Sequence, residues 1–132
     1  MATIKNHTDL PQSKKLAEIL PPESADMWYH GRYSPWGSER RYDREPSPFH
    51  SMTPNWDKSC WSLAALLNII PQEIFDGEYI INITEGWDNR WVLTYDHFEN
   101  RNHSYFRLST GDDNLIDACV AMIEKLHELN LL

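Results

Sequence analysis

The sequence feature that most constrains the fold is the apolar run at 59–70, which reads SCWSLAALLNII. It contains one tryptophan and three leucines, and Pro71 follows it directly. Proline cannot continue a helix, because it lacks the backbone N–H and clashes with the preceding turn. The run therefore predicts a central helix over about 58–69, capped by Asp57 or Ser59. Since little of this helix is polar, we expect the rest of the chain to enclose nearly all of it.

Three later runs alternate apolar and polar residues, which is typical of strands with one buried face. They lie at 78–84, 90–97 and 103–109, and short turn-like segments join them. Strands this close in sequence usually pair with their neighbours. The pattern predicts a three-stranded antiparallel meander.

Two further helices are predicted at the ends of the chain. A short N-terminal helix begins at Ser13 and ends at Leu20, before two prolines. The C-terminal helix is expected to be capped by Thr110 or Asp112. Apolar residues recur along it at helical spacing and form one stripe. The stripe consists of Leu115, Cys119, Met122, Ile123, Leu126 and Leu129.

These elements predict an α+β fold, in which the three-stranded antiparallel meander packs against the central and the C-terminal helix. A length of 132 residues fits a single domain spanning 1–132. We expect residues 1–12 to be loosely attached. Residues 30–57 contain four prolines and two glycines, which break regular structure, but also five aromatic residues. Because disordered segments are poor in aromatic residues, we predict a long ordered loop or insert here.

The charge balance limits the classes of partner. Acidic residues outnumber basic ones 20 to 12, and the net charge is −8. Phosphate contacts require lysine and arginine, so this balance disfavours general nucleic-acid binding and docking on anionic membranes. No run approaches the roughly 20 apolar residues of a membrane span, and the N-terminal segment does not read as a secretory signal. Since the two cysteines suggest no disulfide framework, we expect a cytoplasmic location.

No motif in the sequence assigns a catalytic or metal site. The six histidines form no close pair at helical spacing, and neither cysteine lies in a Cys-x-x-Cys motif. We therefore predict no metal and no cofactor. Cys60 would lie near the start of the central helix, where a thiol can be activated. The preferred interpretation is that Cys60 is a packed structural thiol.

The stretch at 28–50 interleaves four arginines with aromatic residues. This combination is typical of the energetically dominant residues of protein interfaces. The candidate binding surface consists of Arg32, Tyr33, Trp36, Arg40, Arg41, Tyr42 and Arg44. The plainer interpretation is a loop held in place by arginine–carboxylate pairs and aromatic packing. A nucleic-acid surface is the least favoured interpretation, because the overall charge opposes it.

Three segments together resemble a known group of proteins. They are LPPESADMWY at 20–29, CWSLAALLNIIP at 60–71 and DNLIDACVAMIEKLHELNLL at 113–132. In this order, they resemble small uncharacterised proteins encoded in gut Bacteroides-type bacteria, their prophages and mobile elements. Residues 30–57 correspond to the variable insert of that group. The resemblance implies an accessory protein of phage or mobile-element origin and carries over no catalytic residue.

The preferred functional prediction is a non-enzymatic interaction protein that binds a host or phage protein in the bacterial cytoplasm. One alternative is a small enzyme, with a site between the 28–57 loop and the sheet and with Cys60 or a histidine as the reactive group. Another is a nucleic-acid reader, or an acidic nucleic-acid mimic that uses the carboxylates around the C-terminal helix. A homodimer contact through Trp36 or Trp87 is a further alternative. The carboxylates of the mimic would be Asp112, Asp113, Asp117, Glu124 and Glu128.

Overall fold

A computed structural model describes residues 5–32, 41–86, 90–97 and 108–132. Within these ranges the fold is α+β, as predicted, with three α-helices and several antiparallel strands. The helices are α1 Leu10–Leu16, α2 Leu63–Ile69 and α3 Leu115–Glu128. The strands are β1 Met27–Tyr29, β2 Gly31–Arg32, β3 Arg41–Tyr42, β4 Lys58–Cys60, β5 Glu73–Ile74, β6 Tyr79–Glu85, β7 Trp91–His97 and β8 Leu108–Asp112. Two 3₁₀ helices span Pro22–Ser24 and Pro54–Trp56.

The chain divides into two compact units. One contains Met1–Lys5 and Leu66–Leu132, and we call it the sheet unit. The other contains Asn6–Ala65, and we call it the cleft unit. The single domain over 1–132 stays a prediction.

The sheet unit contains a sheet with the strand order β5-β6-β7-β8. The prediction of three strands is therefore wrong by one. The additional strand, β5, is only two residues long, too short for an alternating pattern to indicate it. The predicted strands at 78–84 and 90–97 correspond to β6 and β7. Of the third predicted strand, residues 103–107 lie outside the described residues, and β8 continues to Asp112.

One face of this sheet packs against α3. In the register of β6 and β7, Ile81 lies opposite Tyr95, and Ile83 lies opposite Leu93. Directly opposed residues share a face, so these four side chains lie on the same face of the sheet, although Ile83 is 38% exposed. Leu93 and Tyr95 are fully buried. The Thr110 hydroxyl donates a hydrogen bond to the Ala118 carbonyl at 3.1 Å and so joins β8 to α3.

Helix α3 buries most of the predicted stripe. Four members of the stripe have no exposed surface: Cys119, Met122, Ile123 and Leu126. Leu129 is 48% exposed, because the helix ends at this residue. The predicted caps, Thr110 and Asp112, are wrong, since both lie in β8. The Asn114 side chain caps α3 instead and accepts a hydrogen bond from the Asp117 amide at 2.8 Å.

The cleft unit is built from two short antiparallel pairs, β1 with β4 and β2 with β3. Helix α1 starts earlier than predicted, because Asp9 caps it and Gln12 completes a capping box. Ser13, the predicted cap, lies inside the helix and is buried. Thr8 is fully buried and its amide donates to the Trp61 carbonyl at 2.9 Å. The described part of the N-terminal segment is therefore held more firmly than the sequence suggests.

The central helix is much shorter than predicted. Residues 58–60 form strand β4, and α2 begins only at Leu63. Neither Asp57 nor Ser59 caps the helix. Instead, the Ser62 hydroxyl accepts a hydrogen bond from the Ala65 amide at 3.2 Å. The expected enclosure is also wrong, because Leu66 is the one fully buried residue of α2, which the structure describes along its whole length.

Two of the three segments that carry the resemblance, at 20–29 and 60–71, are joined by hydrogen bonds in the cleft unit. Met27 of β1 lies opposite Cys60 of β4. The Trp61 indole N–H donates to the Ser24 hydroxyl at 3.0 Å. The Asp26 carboxylate accepts hydrogen bonds from the amide, at 2.9 Å, and from the hydroxyl of Ser62. These residues therefore have a structural role, since each segment satisfies polar groups of the other.

The prediction of one long ordered loop over 30–57 is not confirmed. Residues 33–40 lie outside the described residues. The described parts contain β2, β3 and the 3₁₀ helix Pro54–Trp56. Ser47 also forms a bridge with Trp28, so the segment 41–57 is tied to β1.

Candidate functional site

A cleft in the cleft unit is built on the paired strands β1 and β4. Trp28 and Ser59 lie directly opposite each other in this pair, so their side chains share one face. Asp57 precedes Ser59 by two residues in extended backbone, which places its side chain on the same face. This face is the floor of a cleft of about 650 Å³.

The walls of the cleft come from two proline-initiated turns. The 3₁₀ helix Pro22–Ser24 supplies Pro22 and Glu23, and Ala25 follows it. The second 3₁₀ helix supplies Pro54, and His50 lies on the segment that leads into it. Proline fixes its own backbone angle, so both walls are stiff. The volume is within the range of small-ligand sites.

His50 is held in a defined orientation at this cleft. Its ring stacks on the Trp28 indole, with the ring centroids 4.0 Å apart and the planes inclined by 32°. Its Nδ1 donates a hydrogen bond to Oδ2 of Asp57 at 3.2 Å. Nε2 of His50 has no partner among the residues that the structure describes. The imidazole is half-exposed.

Asp57 is a buried carboxylate that organises the segment around it. Its side chain has no exposed surface. The amide of Ser51 donates to Oδ2 at 2.8 Å, and the hydroxyl of Ser51 donates to Oδ1 at 2.6 Å. Burial by itself would raise the pKa of Asp57, but these hydrogen bonds and the one from His50 outweigh it, and the pKa lies below its usual value. Asp57 is therefore ionised at neutral pH.

A second candidate surface is the hairpin of β2 and β3. Gly31 is required here, because a Cβ at this position would overlap the Trp56 carbonyl. Arg32 forms an ion pair with Asp43, which raises the pKa of the guanidinium and lowers that of the carboxyl. The Asp43 amide donates to the His30 carbonyl at 3.0 Å. This pair agrees with the plainer interpretation of the stretch, a segment held by arginine–carboxylate contacts.

The structure describes four of the seven residues predicted to form the binding surface. Arg32, Arg41 and Arg44 are exposed, and Tyr42 is half-buried with the Lys14 ammonium 5.8 Å from its ring centroid. Arg41 and Arg44 form no ion pair with any residue within the described ranges. The other three predicted residues lie outside those ranges: Tyr33, Trp36 and Arg40.

The binding surface predicted from the sequence did not include two exposed apolar residues that follow this hairpin in the chain, Phe49 and Met52. Phe49 is 74% exposed and Met52 is fully exposed. The Phe49 carbonyl accepts a hydrogen bond from Nε2 of His30 at 2.7 Å, which places it next to β2. Nδ1 of His30 lies 3.9 Å from Asp43, the partner of Arg32. The only signal in the sequence was the polar, proline-rich surroundings of both residues.

Cys60 does not have the surroundings of a reactive thiol. It is fully buried, and its thiol donates to the Thr8 carbonyl at 3.4 Å. Burial raises the pKa of the thiol, although hydrogen bonds with Thr8, Ser13 and Tyr29 partly oppose this rise. Burial likewise raises the pKa of Cys119 to about 12. Both thiols remain protonated at neutral pH, so neither is an activated nucleophile.

No hydroxyl or thiol of the described residues makes a hydrogen bond with Nε2 of His50, so the imidazole has no partner nucleophile there. Across the described part of the chain, no group of three or more His, Cys, Asp and Glu residues could hold a metal ion. The same residues include no helix long and apolar enough to cross a membrane.

Comparison with known proteins gives no match: no family model, no curated protein and no solved structure is significantly similar to this chain.

Proposed function

We propose that the chain is a non-enzymatic interaction protein that binds a host or phage protein in the bacterial cytoplasm. The binding surface, which we call the arginine surface, consists of Arg32, Arg41, Tyr42, Arg44, Phe49 and Met52. The phage or mobile-element origin is part of the proposal and rests on the resemblance of three sequence segments.

The observation that carries this proposal is that Phe49 and Met52 project into solvent from a segment that hydrogen bonds hold in place. The Phe49 amide donates to the Ser47 hydroxyl at 3.2 Å, and its carbonyl accepts from His30. Asp57 fixes Ser51 between the two exposed residues. A segment that is already ordered loses little conformational entropy on binding. Exposed large apolar side chains on a rigid segment thus favour a protein partner.

The charges on this surface indicate the kind of partner. Arg41 and Arg44 are exposed cations in a chain whose net charge is −8. The negative charge of Asp43 is already paired with Arg32. Arginine guanidinium groups pair with carboxylates through two parallel hydrogen bonds. The preferred partner is therefore a protein whose contact region combines carboxylates with an apolar depression.

The test is capture of partners from host-cell lysate by the tagged protein, compared between the wild type and matched variants. The double variant Arg41→Ala/Arg44→Ala and the single variant Phe49→Ala are expected to lose the partner by at least about tenfold. The controls are Arg41→Lys/Arg44→Lys, which keeps the charge, and Leu132→Ala, which shortens another partly exposed apolar residue. The lysine variant should keep part of the binding, and Leu132→Ala should keep all of it.

Two outcomes contradict the proposal. One is a partner that all the alanine variants capture as well as the wild type does, because the surface would then be elsewhere. The other is a wild type that captures no partner in stoichiometric amount. Binding by the wild type should also weaken as salt is added, since exposed charges are screened.

A further inference from the structure

The cleft between the two proline-initiated turns is not used by the arginine surface. Of its eight lining residues, two are aromatic rings in contact, Trp28 and His50. Pro22, Pro54 and Ala25 add apolar wall. These residues form a surface against which a hydrocarbon chain or a flat cation can pack.

The two acidic residues that line the cleft are Glu23 and Asp57. Asp57 is ionised, as its hydrogen bonds and lowered pKa require. Glu23 is exposed at the rim. The lining residues, all of which the structure describes, include no lysine and no arginine. An anion entering this cleft would be repelled by Glu23 at the rim and by the charge of the buried Asp57 carboxylate, whereas a cation would be attracted by both.

We propose that the cleft binds an organic cation of the alkylguanidinium or alkylammonium class, such as the side chain of arginine or lysine. Glu23 would pair with the charged group at the rim. The rings of Trp28 and His50 would pack against the alkyl stem of the same ligand. Pro22 and Pro54 would pack along the methylene groups. This inference does not rest on the arginine surface, since the two sets of residues do not overlap.

The size of the cleft permits two sources of such a cation. A volume of about 650 Å³ is larger than one arginine side chain needs. It can accept a free amine or guanidine, or a basic residue together with its neighbours in a peptide. The shared chemistry is a cation on an alkyl stem, and the experiment distinguishes the sources.

The test is an NMR titration of the full chain, observing the Trp28 indole N–H and the His50 ring signals. The probes are agmatine and the capped peptide acetyl-Gly-Arg-Gly-amide. The neutral control is acetyl-Gly-norleucine-Gly-amide. Both cationic probes should shift these signals saturably, and the neutral peptide should bind at least about tenfold more weakly. Tighter binding of the peptide points to a protein source, and tighter binding of agmatine points to a small molecule.

Glu23→Gln removes the rim charge with little change of shape, and Glu18→Gln is the matched control at another exposed position of the cleft unit. Glu23→Gln should weaken the binding of agmatine at least about fivefold, while Glu18→Gln should leave it unchanged. Asp57 is not substituted in this experiment, because its loss would release the segment that forms one wall. Equal binding of the neutral and cationic peptides would overturn the proposal. So would unchanged affinity in Glu23→Gln, or signals of Trp28 and His50 that do not move.

Discussion

In the sheet unit, the fully buried side chains are mostly apolar, whereas the cleft unit also buries two hydroxyls and a carboxylate without exposed surface. Leu93 and Leu126 are examples of the first kind. Thr8, Ser13 and the Asp57 side chain are the examples of the second. Burial of apolar area is non-directional, while a buried polar group is tolerated only with a correctly placed partner.

This difference matches the kind of structure in each unit. The sheet unit has two seven-residue strands and a fourteen-residue helix, which present continuous apolar faces. The strands of the cleft unit contain two or three residues each. Such short strands bury little apolar surface, so side-chain hydrogen bonds must supply the order. Both candidate surfaces belong to the cleft unit, where irregular backbone is held by polar contacts.

The largest effect is expected when apolar packing in the sheet unit is removed. Leu126→Ala should lower the free energy of unfolding by about 2–5 kcal/mol, because Leu126 is fully buried and its loss leaves a cavity. The matched control is Leu129→Ala, three residues later and 48% exposed, which should cost less than about 1 kcal/mol. Urea denaturation followed by circular dichroism measures both. Equal costs for the two variants would mean that the stripe of α3 is not what stabilises this unit.

Much of the secondary structure of the sheet unit could be predicted from the sequence. The reason is the burial of repeated apolar positions, which also makes the expected effect of Leu126→Ala large. Helical spacing located the stripe of α3, and alternation located β6 and β7, because a repeated apolar position directly reports burial. Leu129 was misassigned, since the pattern does not show where the helix ends. The run at 59–70 was misread as one helix, because a continuous apolar run has no period that distinguishes strand from helix.

The cleft unit could not be predicted in this way. Asp26 and Ser62 are 36 positions apart, and their hydrogen bonds help to define where α2 begins. The cleft likewise combines Glu23, Trp28 and His50 from separate segments. No local pattern relates residues at such distances.

A smaller effect is expected when the polar core of the cleft unit is broken. Thr8→Val keeps the shape of the side chain but removes the oxygen that accepts the Trp61 amide at 3.1 Å and contacts Ser13 at 2.8 Å. The loss should cost about 1–3 kcal/mol, because buried polar groups are left without partners. Thr84→Val on the exposed side of β6 is the control and should stay within about 0.5 kcal/mol. If both variants unfold at the same urea concentration, hydrogen bonding does not order this unit.

The smallest effect concerns the acid dependence that the buried carboxylate adds to the cleft unit. The pKa of Asp57 is lower in the folded chain than in the unfolded chain, so its contribution to stability is present above the unfolded pKa of about 3.9. That contribution is lost as the pH falls through the folded pKa. The difference in unfolding free energy between the wild type and Asp57→Asn should therefore be constant at neutral pH and shrink below about pH 4.

Ser51→Ala isolates the cause of this dependence. The variant removes the hydroxyl that donates to Oδ1 of Asp57 but keeps the amide that donates to Oδ2. With one donor fewer, the pKa of Asp57 should move back towards its usual value, and the acid loss of stability should become shallower than in the wild type. One pKa unit corresponds to only about 1.4 kcal/mol, so urea titrations at closely spaced pH values are needed. If the plots of unfolding free energy against pH stay parallel for the wild type, Ser51→Ala and Asp57→Asn down to a pH of about 2, the charge of Asp57 does not contribute to stability.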